Sequence, residues 1–123
     1  GGNYVPNYQV NNDVWCSEDG VNWEQVTAHA PWGPRLWFKS VVYQGRLWVM
    51  GGWAQEPQDN YGDVWHSKDG KNWTELQSQT IWKSRHEQAA FVHQNKIWIA
   101  GGHARPLDNQ VWSLEVGEDV LGQ

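Results

Sequence analysis

The sequence predicts an all-β chain built from repeated four-stranded antiparallel units, and three observations carry that expectation. The pair Gly51-Gly52 returns fifty residues later as Gly101-Gly102, and the chain opens on Gly1-Gly2 fifty residues earlier. Between these marks the match runs without a gap. Asp13, Val14, Trp15, Ser17, Asp19, Gly20, Asn22, Trp23, Trp32, Arg35, Val42, Gln44 and Trp48 recur as Asp63, Val64, Trp65, Ser67, Asp69, Gly70, Asn72, Trp73, Trp82, Arg85, Val92, Gln94 and Trp98. Within each copy, short runs rich in Val and aromatics alternate with polar turn residues, a composition that suits strands.

The elements follow in chain order, each strand named by its place in the unit. Residues 1–26 hold strand c at Asp13-Val14-Trp15 and strand d at Trp23 to Val26, behind the Asp19-Gly20 turn. Residues 27–76 hold a complete unit. Strand a runs from Phe38 to Tyr43, a tight Gln44-Gly45 step leads into strand b at Arg46 to Met50, and the glycine pair halts it. Asp63-Val64-Trp65 then gives strand c, and Trp73 to Leu76 gives strand d. Residues 77–123 repeat strand a at Gln88 to His93 and strand b at Lys96 to Ala100. The third strand c, Gln110-Val111-Trp112, arrives three residues early, and no Trp follows it to open a strand d. The chain is thus read as one array of about two and a half units.

Four short antiparallel strands per fifty residues, closed by a double glycine after strand b, form a set with further fixed points. These are the Trp of Asp-Val-Trp in strand c, the Trp opening strand d, and Arg35 and Arg85 just before strand a. On these residues the chain resembles the kelch-repeat family of β-propellers along nearly its whole length. The segments from Ser17 to Trp23 and from Ser67 to Trp73 also look like Asp-box hairpins, with Asp and Gly adjacent where that motif separates them. The resemblance implies blades whose innermost strand lines a central channel, with Arg35 and Arg85 pointing toward its mouth.

Propellers close with about 4 to 8 blades, so this chain supplies less than half a ring and would leave strand edges in water. Two completions are expected: a longer chain, or self-association into a closed ring, for which three copies making six blades is the favoured count. Both ends carry a c-like strand, so one copy is redundant at each junction. The chain does not open on Met, which leaves room for a leader or further blades upstream.

A net charge of -5 without a basic stripe argues against nucleic acid as a partner. No apolar run approaches the roughly 18 residues of a spanning helix, and no signal-like segment opens the chain, so no membrane role is expected. The single Cys16 can form no internal disulfide. Beside Trp15 it reads as a small buried hydrophobe.

Eleven Trp residues invite a reading as ligand platforms, but the repeated ones are first explained as packing. A buried aromatic removes about 150–250 Å² from water, worth on the order of 4–6 kcal/mol gross. Trp15, Trp23, Trp48, Trp65, Trp73, Trp98 and Trp112 are therefore expected to join the units together. Trp37 and Trp53 have no Trp one repeat away and are freer to serve a ligand.

Strand a enters from the d-to-a loop and strand b returns to the same end, so the b-to-c and d-to-a loops share one face. That face should collect Trp32, Arg35, Trp37, Trp53, Gln55, Trp82, Arg85, His86, His103 and Arg105. Repeated arginines could grip carboxylates or anionic sugars by paired hydrogen bonds; the alternative is an arginine paired with an acid or carbonyl of a neighbouring blade. The expected function is a binding module for protein or glycan ligands.

Enzyme signatures are weak. His29, His66, His86, His93 and His103 lack metal-ligand spacing, and no nucleophile motif appears. On a strand, His86 and Glu87 would point to opposite faces. No catalytic residue, metal or cofactor is assigned. The Asn72-Trp73-Thr74 sequon repeats Asn22 and reads as turn chemistry. The resemblance does include enzymes such as sialic acid epimerases, which gives the alternative: a sugar-processing enzyme acting on an anionic carbohydrate.

Overall fold

The computed structural model describes residues 1–3, 5–56 and 59–122. In chain order, β1 (Gly2–Asn3) pairs with β2 (Gln9–Val10), and β3 (Val14–Cys16) pairs with β4 (Glu24–Thr27). A four-stranded sheet follows from β5 (Lys39–Tyr43), β6 (Arg46–Met50), β7 (Val64–Ser67) and β8 (Thr74–Glu75). A three-stranded sheet is formed by β9 (Ala89–His93), β10 (Lys96–Ala100) and β11 (Val111–Leu114), before a single helical turn α1 (Glu118–Leu121). Every pairing is antiparallel between neighbours in the chain. The molecule is therefore all-β apart from that turn, in several small sheets. The pair β1–β2 and the turn α1 have no counterpart in the sequence reading.

Local chemistry fixes each hairpin. Gln44 and Gly45 stand at φ 52° and 66°, and Gln94 and Asn95 at 50° and 58°. Two successive left-handed residues make the two-residue turn whose twist matches the flanking strands. Each turn is latched by an indole: Trp48 Nε1 donates to the Tyr43 carbonyl at 2.8 Å, and Trp98 Nε1 to that of His93 at 2.9 Å. The turns between strands c and d are held by one carboxylate each. Asp19 accepts the backbone N–H groups of Val21 and Asn22 and the Asn22 amide, and Asp69 does the same for Lys71 and Asn72. Both carboxyls are held far below the usual range, first by those backbone donors.

The double glycines answer two demands. Gly51 and Gly52 have φ 66° and 110°, repeated at 61° and 98° by Gly101 and Gly102. Besides that conformation, a Cβ on Gly52 would meet the Leu36 carbonyl and the Phe38 Cβ at 2.9 Å. Gly52 N donates to the Arg85 carbonyl at 2.9 Å, so the bare backbone is where the third unit is tied to the second.

The core lies between those two units, where Trp48, Met50, Val64, Trp82, Ile97 and Ile99 are buried together with Tyr43 and Val116. Trp48 meets the packing expectation in full, while Trp65, Trp73, Trp98 and Trp112 are half-buried. Trp15 and Trp23 do not meet it, being 49% and 60% exposed, and Cys16 is exposed as well. The reason is topological. In the four-stranded sheet β6 runs beside β7, whereas among the described residues no strand lies against the equivalent edge of β3. His66, the counterpart of Cys16, is accordingly buried.

The same topology bears on ring closure. With β11 already beside β10, a next copy that inserted its β3 there would bring a second strand to an occupied position.

Candidate functional site

Each arginine before strand a is built into a cage. Arg35 is fully buried, donating from Nη1 and Nη2 to the two Asp63 carboxylate oxygens at 2.7 and 2.9 Å. Its Nη1 also reaches the Gly51 carbonyl at 3.0 Å and its Nε that of Gly33 at 2.9 Å, while the guanidinium lies 3.8 Å over the Tyr61 ring. Arg85 repeats the arrangement with Asp108 at 2.9 and 3.2 Å, Gly101 and Lys83. Burial alone would push the Asp63 carboxyl up. The Arg35 hydrogen bonds and charge, with the Trp65 indole N–H, outweigh it and hold the carboxyl below its usual value.

This geometry corrects the expectation that Arg35 and Arg85 offer their guanidinium groups to a ligand. Their donors are spent on carboxylates and carbonyls of their own units, and not on those of a neighbouring one as the alternative reading expected. Trp32 and Trp82 are likewise buried, at 2% and 3% exposure, and form no part of an accessible surface. Asp63 serves both Arg35 and the Trp65 indole. In the third unit these tasks are divided, because the shortened loop brings Asp108 to Arg85 and leaves Gln110 to accept from Trp112.

Above the cages lies a run of rings. Tyr8 meets Trp53 edge-on at 5.3 Å, and Trp53 and Trp37 are 5.4 Å apart with planes tilted by 33°. Trp37 is 5.3 Å from His86, and His86 stacks on His103 at 4.7 Å. Backbone bridges place them, since Leu36 pairs with Trp53 and His86 with His103 at equivalent points of the repeat. Trp37 and Glu87, also equivalent, both take left-handed φ, 55° and 57°, and the Glu87 N–H donates to the Trp37 carbonyl at 2.9 Å. That turn also corrects the expected divergence of His86 and Glu87. Neither lies in a strand, and their side chains approach to 3.9 Å.

Polar groups edge the run. Asp59 accepts from the Trp53 indole at 2.7 Å and pairs with Arg105 at 3.1 Å. The Asn60 amide joins the histidines, with Oδ1 2.5 Å from His86 Nδ1 and Nδ2 donating to the His103 carbonyl at 3.0 Å. Burial, and then the neighbouring His103, lower the pKa of His86 against the opposing pull of Glu87 and Asp59.

Of the residues expected at this face, Trp37, Trp53, His86, His103 and Arg105 come together there. Tyr8, Asp59 and Asn60 were missed, because they are neither tryptophans that break the repeat nor part of any motif. Gln55 is exposed nearby in sequence but enters none of these contacts. Trp37 and Trp53 are half-buried, Tyr8 is 40% exposed and His103 is exposed. The run is thus an accessible aromatic surface with fixed donors and acceptors along its margin. Among the described residues no group of three His, Cys, Asp or Glu side chains is placed to hold a metal ion.

No family model matches the chain, and no curated protein matches it. Among solved structures it is similar to YjhT, with 27% identity and a TM-score of 0.56 over 66% of this chain. The chain spans about a quarter of that structure, 24% of its length.

Proposed function

We propose that this chain is an arc of a kelch-like β-propeller that serves as a binding module, taking a glycan by stacking its sugar rings on Tyr8, Trp53 and Trp37. The observation that carries the reading is the continuous ring run from Tyr8 to His103, exposed in part on one face. Aromatic residues present a broad apolar face, and such surfaces with a few convergent polar groups are the common form of a ligand site.

Charge narrows the ligand class. With Arg35 and Arg85 enclosed, the margin carries two cations, Arg105, itself paired with Asp59, and Lys83, whose ammonium donates to the Arg105 carbonyl at 3.3 Å, balanced by Asp59 and by Glu87 exposed beside His86. A neutral sugar suits this margin better than the anionic one expected from the sequence. A protein ligand would meet the same aromatic face through its own apolar side chains.

A panel of immobilised neutral and acidic oligosaccharides and peptides, probed with the parent and with Trp53→Ala, tests the proposal. Retention on neutral glycans that falls at least tenfold in Trp53→Ala supports it. Retention only on acidic glycans, or equal retention by both proteins, overturns it.

A further inference from the structure

Three of the four arginines meet a carboxylate: Arg35 with Asp63, Arg85 with Asp108 and Arg105 with Asp59. Arg46 is the exception. It opens β6 at 6% exposure, and among the described residues no acid lies within ion-pair distance of it. Its contacts are neutral. Nη1 lies 2.9 Å from His66 Nδ1, and Nη2 donates to the Leu121 carbonyl. An arginine has no acceptor, so His66 accepts at Nδ1 and carries its proton on Nε2. The imidazole is itself buried and lies 4.7 Å from the Trp48 ring, which holds the guanidinium in place through it.

The repeat shows what is different here. In the third unit Lys96 stands where Arg46 does, and it pairs with Glu115 at 4.0 Å. Glu115 follows β11 as Lys68 follows β7, in the same register, since Leu47 lies opposite Ser67 and Ile97 opposite Leu114. The first unit carries Glu18 at that place. The second unit alone has a cation there, so two positive charges come together where its neighbours have an acid. A buried charge is costly without a counter-charge, and among the described residues this one has none.

A groove of about 200 Å³ lies at the pair, lined by Arg46, His66, Lys68, Asp69, Asn72 and Thr74. Asp69 is already engaged, its two oxygens accepting from Ser67, Lys71 and Asn72. Of the five guanidinium N–H groups, His66 and Leu121 take one each. The rest are donors at the groove, together with the exposed Lys68 ammonium and the Thr74 hydroxyl. We infer that this groove binds a small oxyanion, phosphate or sulfate, free or as a monoester, between Arg46 and Lys68. A tetrahedral group offers acceptor oxygens to donors that converge from different strands, and its charge offsets the paired cations. The turns after strands a and c lie at the end of the sheet opposite the b-to-c and d-to-a loops, so the groove is separate from the aromatic run.

Titration of a nitrogen-15 labelled sample with inorganic phosphate, at constant ionic strength, tests the inference. The expected result is saturable shifts of the Lys68 and Asn72 backbone amide signals, with the Trp53 indole signal unmoved. Lys68→Glu installs the acid that the other units carry and should weaken binding at least tenfold. Because Arg46 gains a partner, the urea midpoint of that variant should equal or exceed that of the parent. Lys71→Glu makes the same charge change on the same turn but outside the groove, and it should leave the affinity nearly as it was. Inorganic sulfate and methyl phosphate complete the series: retention of methyl phosphate assigns the groove to a monoester, and its exclusion to the free anion. No saturable shift at Lys68, or equal weakening by Lys68→Glu and Lys71→Glu, overturns the inference, the second result showing only a general attraction of anions to the turn.

Discussion

Arg35 and Trp48 show how far a side chain's role depends on what is left behind when it is removed. Arg35→Ala strands the half-buried Asp63 carboxylate and frees two carbonyls, so it should cost about 3–5 kcal/mol of stability. Arg35→Lys should not restore it, because an ammonium cannot make the paired contact with Asp63. Urea denaturation of both variants checks this. Trp48→Ala should also cost about 3–5 kcal/mol, since its ring is fully enclosed. The half-buried Trp53, by contrast, should lose only about 1 kcal/mol on truncation. Asp63 adds a pH dependence whose sign is fixed by its depressed folded pKa. Its contribution is complete above the ordinary value of 3.8 and is lost as pH falls from there through the folded value. Denaturation midpoints from pH 6 down to pH 2.5 should therefore decline more steeply for the parent than for Asp63→Asn.

At the level of elements, the sheets were readable where a backbone requirement repeats. Strand b is found where expected in both copies, because the turn before it and the glycines after it are both visible in the letters. Strand a begins one residue late each time, at Lys39 and Ala89, after the left-handed Trp37 and Glu87. Nothing in a Trp or a Glu announces positive φ. Strand d shrinks to Thr74–Glu75 in the second unit although four residues from Trp73 were expected. The aromatic run was half readable. Trp37 and Trp53 stood out as unrepeated tryptophans, whereas Tyr8, Asp59 and Asn60 carry no pattern. The arginines were misplaced because spacing alone does not say which carboxylate lies within reach. Gly52→Ala offers a test at this scale. Its φ of 110° and the close Leu36 carbonyl leave no room for a Cβ, so the substitution should cost about 2 kcal/mol or more in denaturation. Gly45→Ala, with open space around its Cβ, should cost less, having only the left-handed conformation against it.

Over the whole molecule, the described units are unequal in a way that separates stability from binding. Second and third units share the core, the first contributes two-stranded sheets, and the ring run from Tyr8 to His103 draws on residues of all three. Ligand binding should therefore report on a surface that the core does not include. The indole N–H signals of a nitrogen-15 tryptophan-labelled sample, titrated with a neutral oligosaccharide, test this most directly. The account predicts saturable shifts of the Trp53 and Trp37 signals, assigned by single substitution, with those of the latch residues Trp48 and Trp98 unmoved. Shifts confined to Trp15 and Trp23, or no shift of Trp53 at saturating sugar, would contradict it.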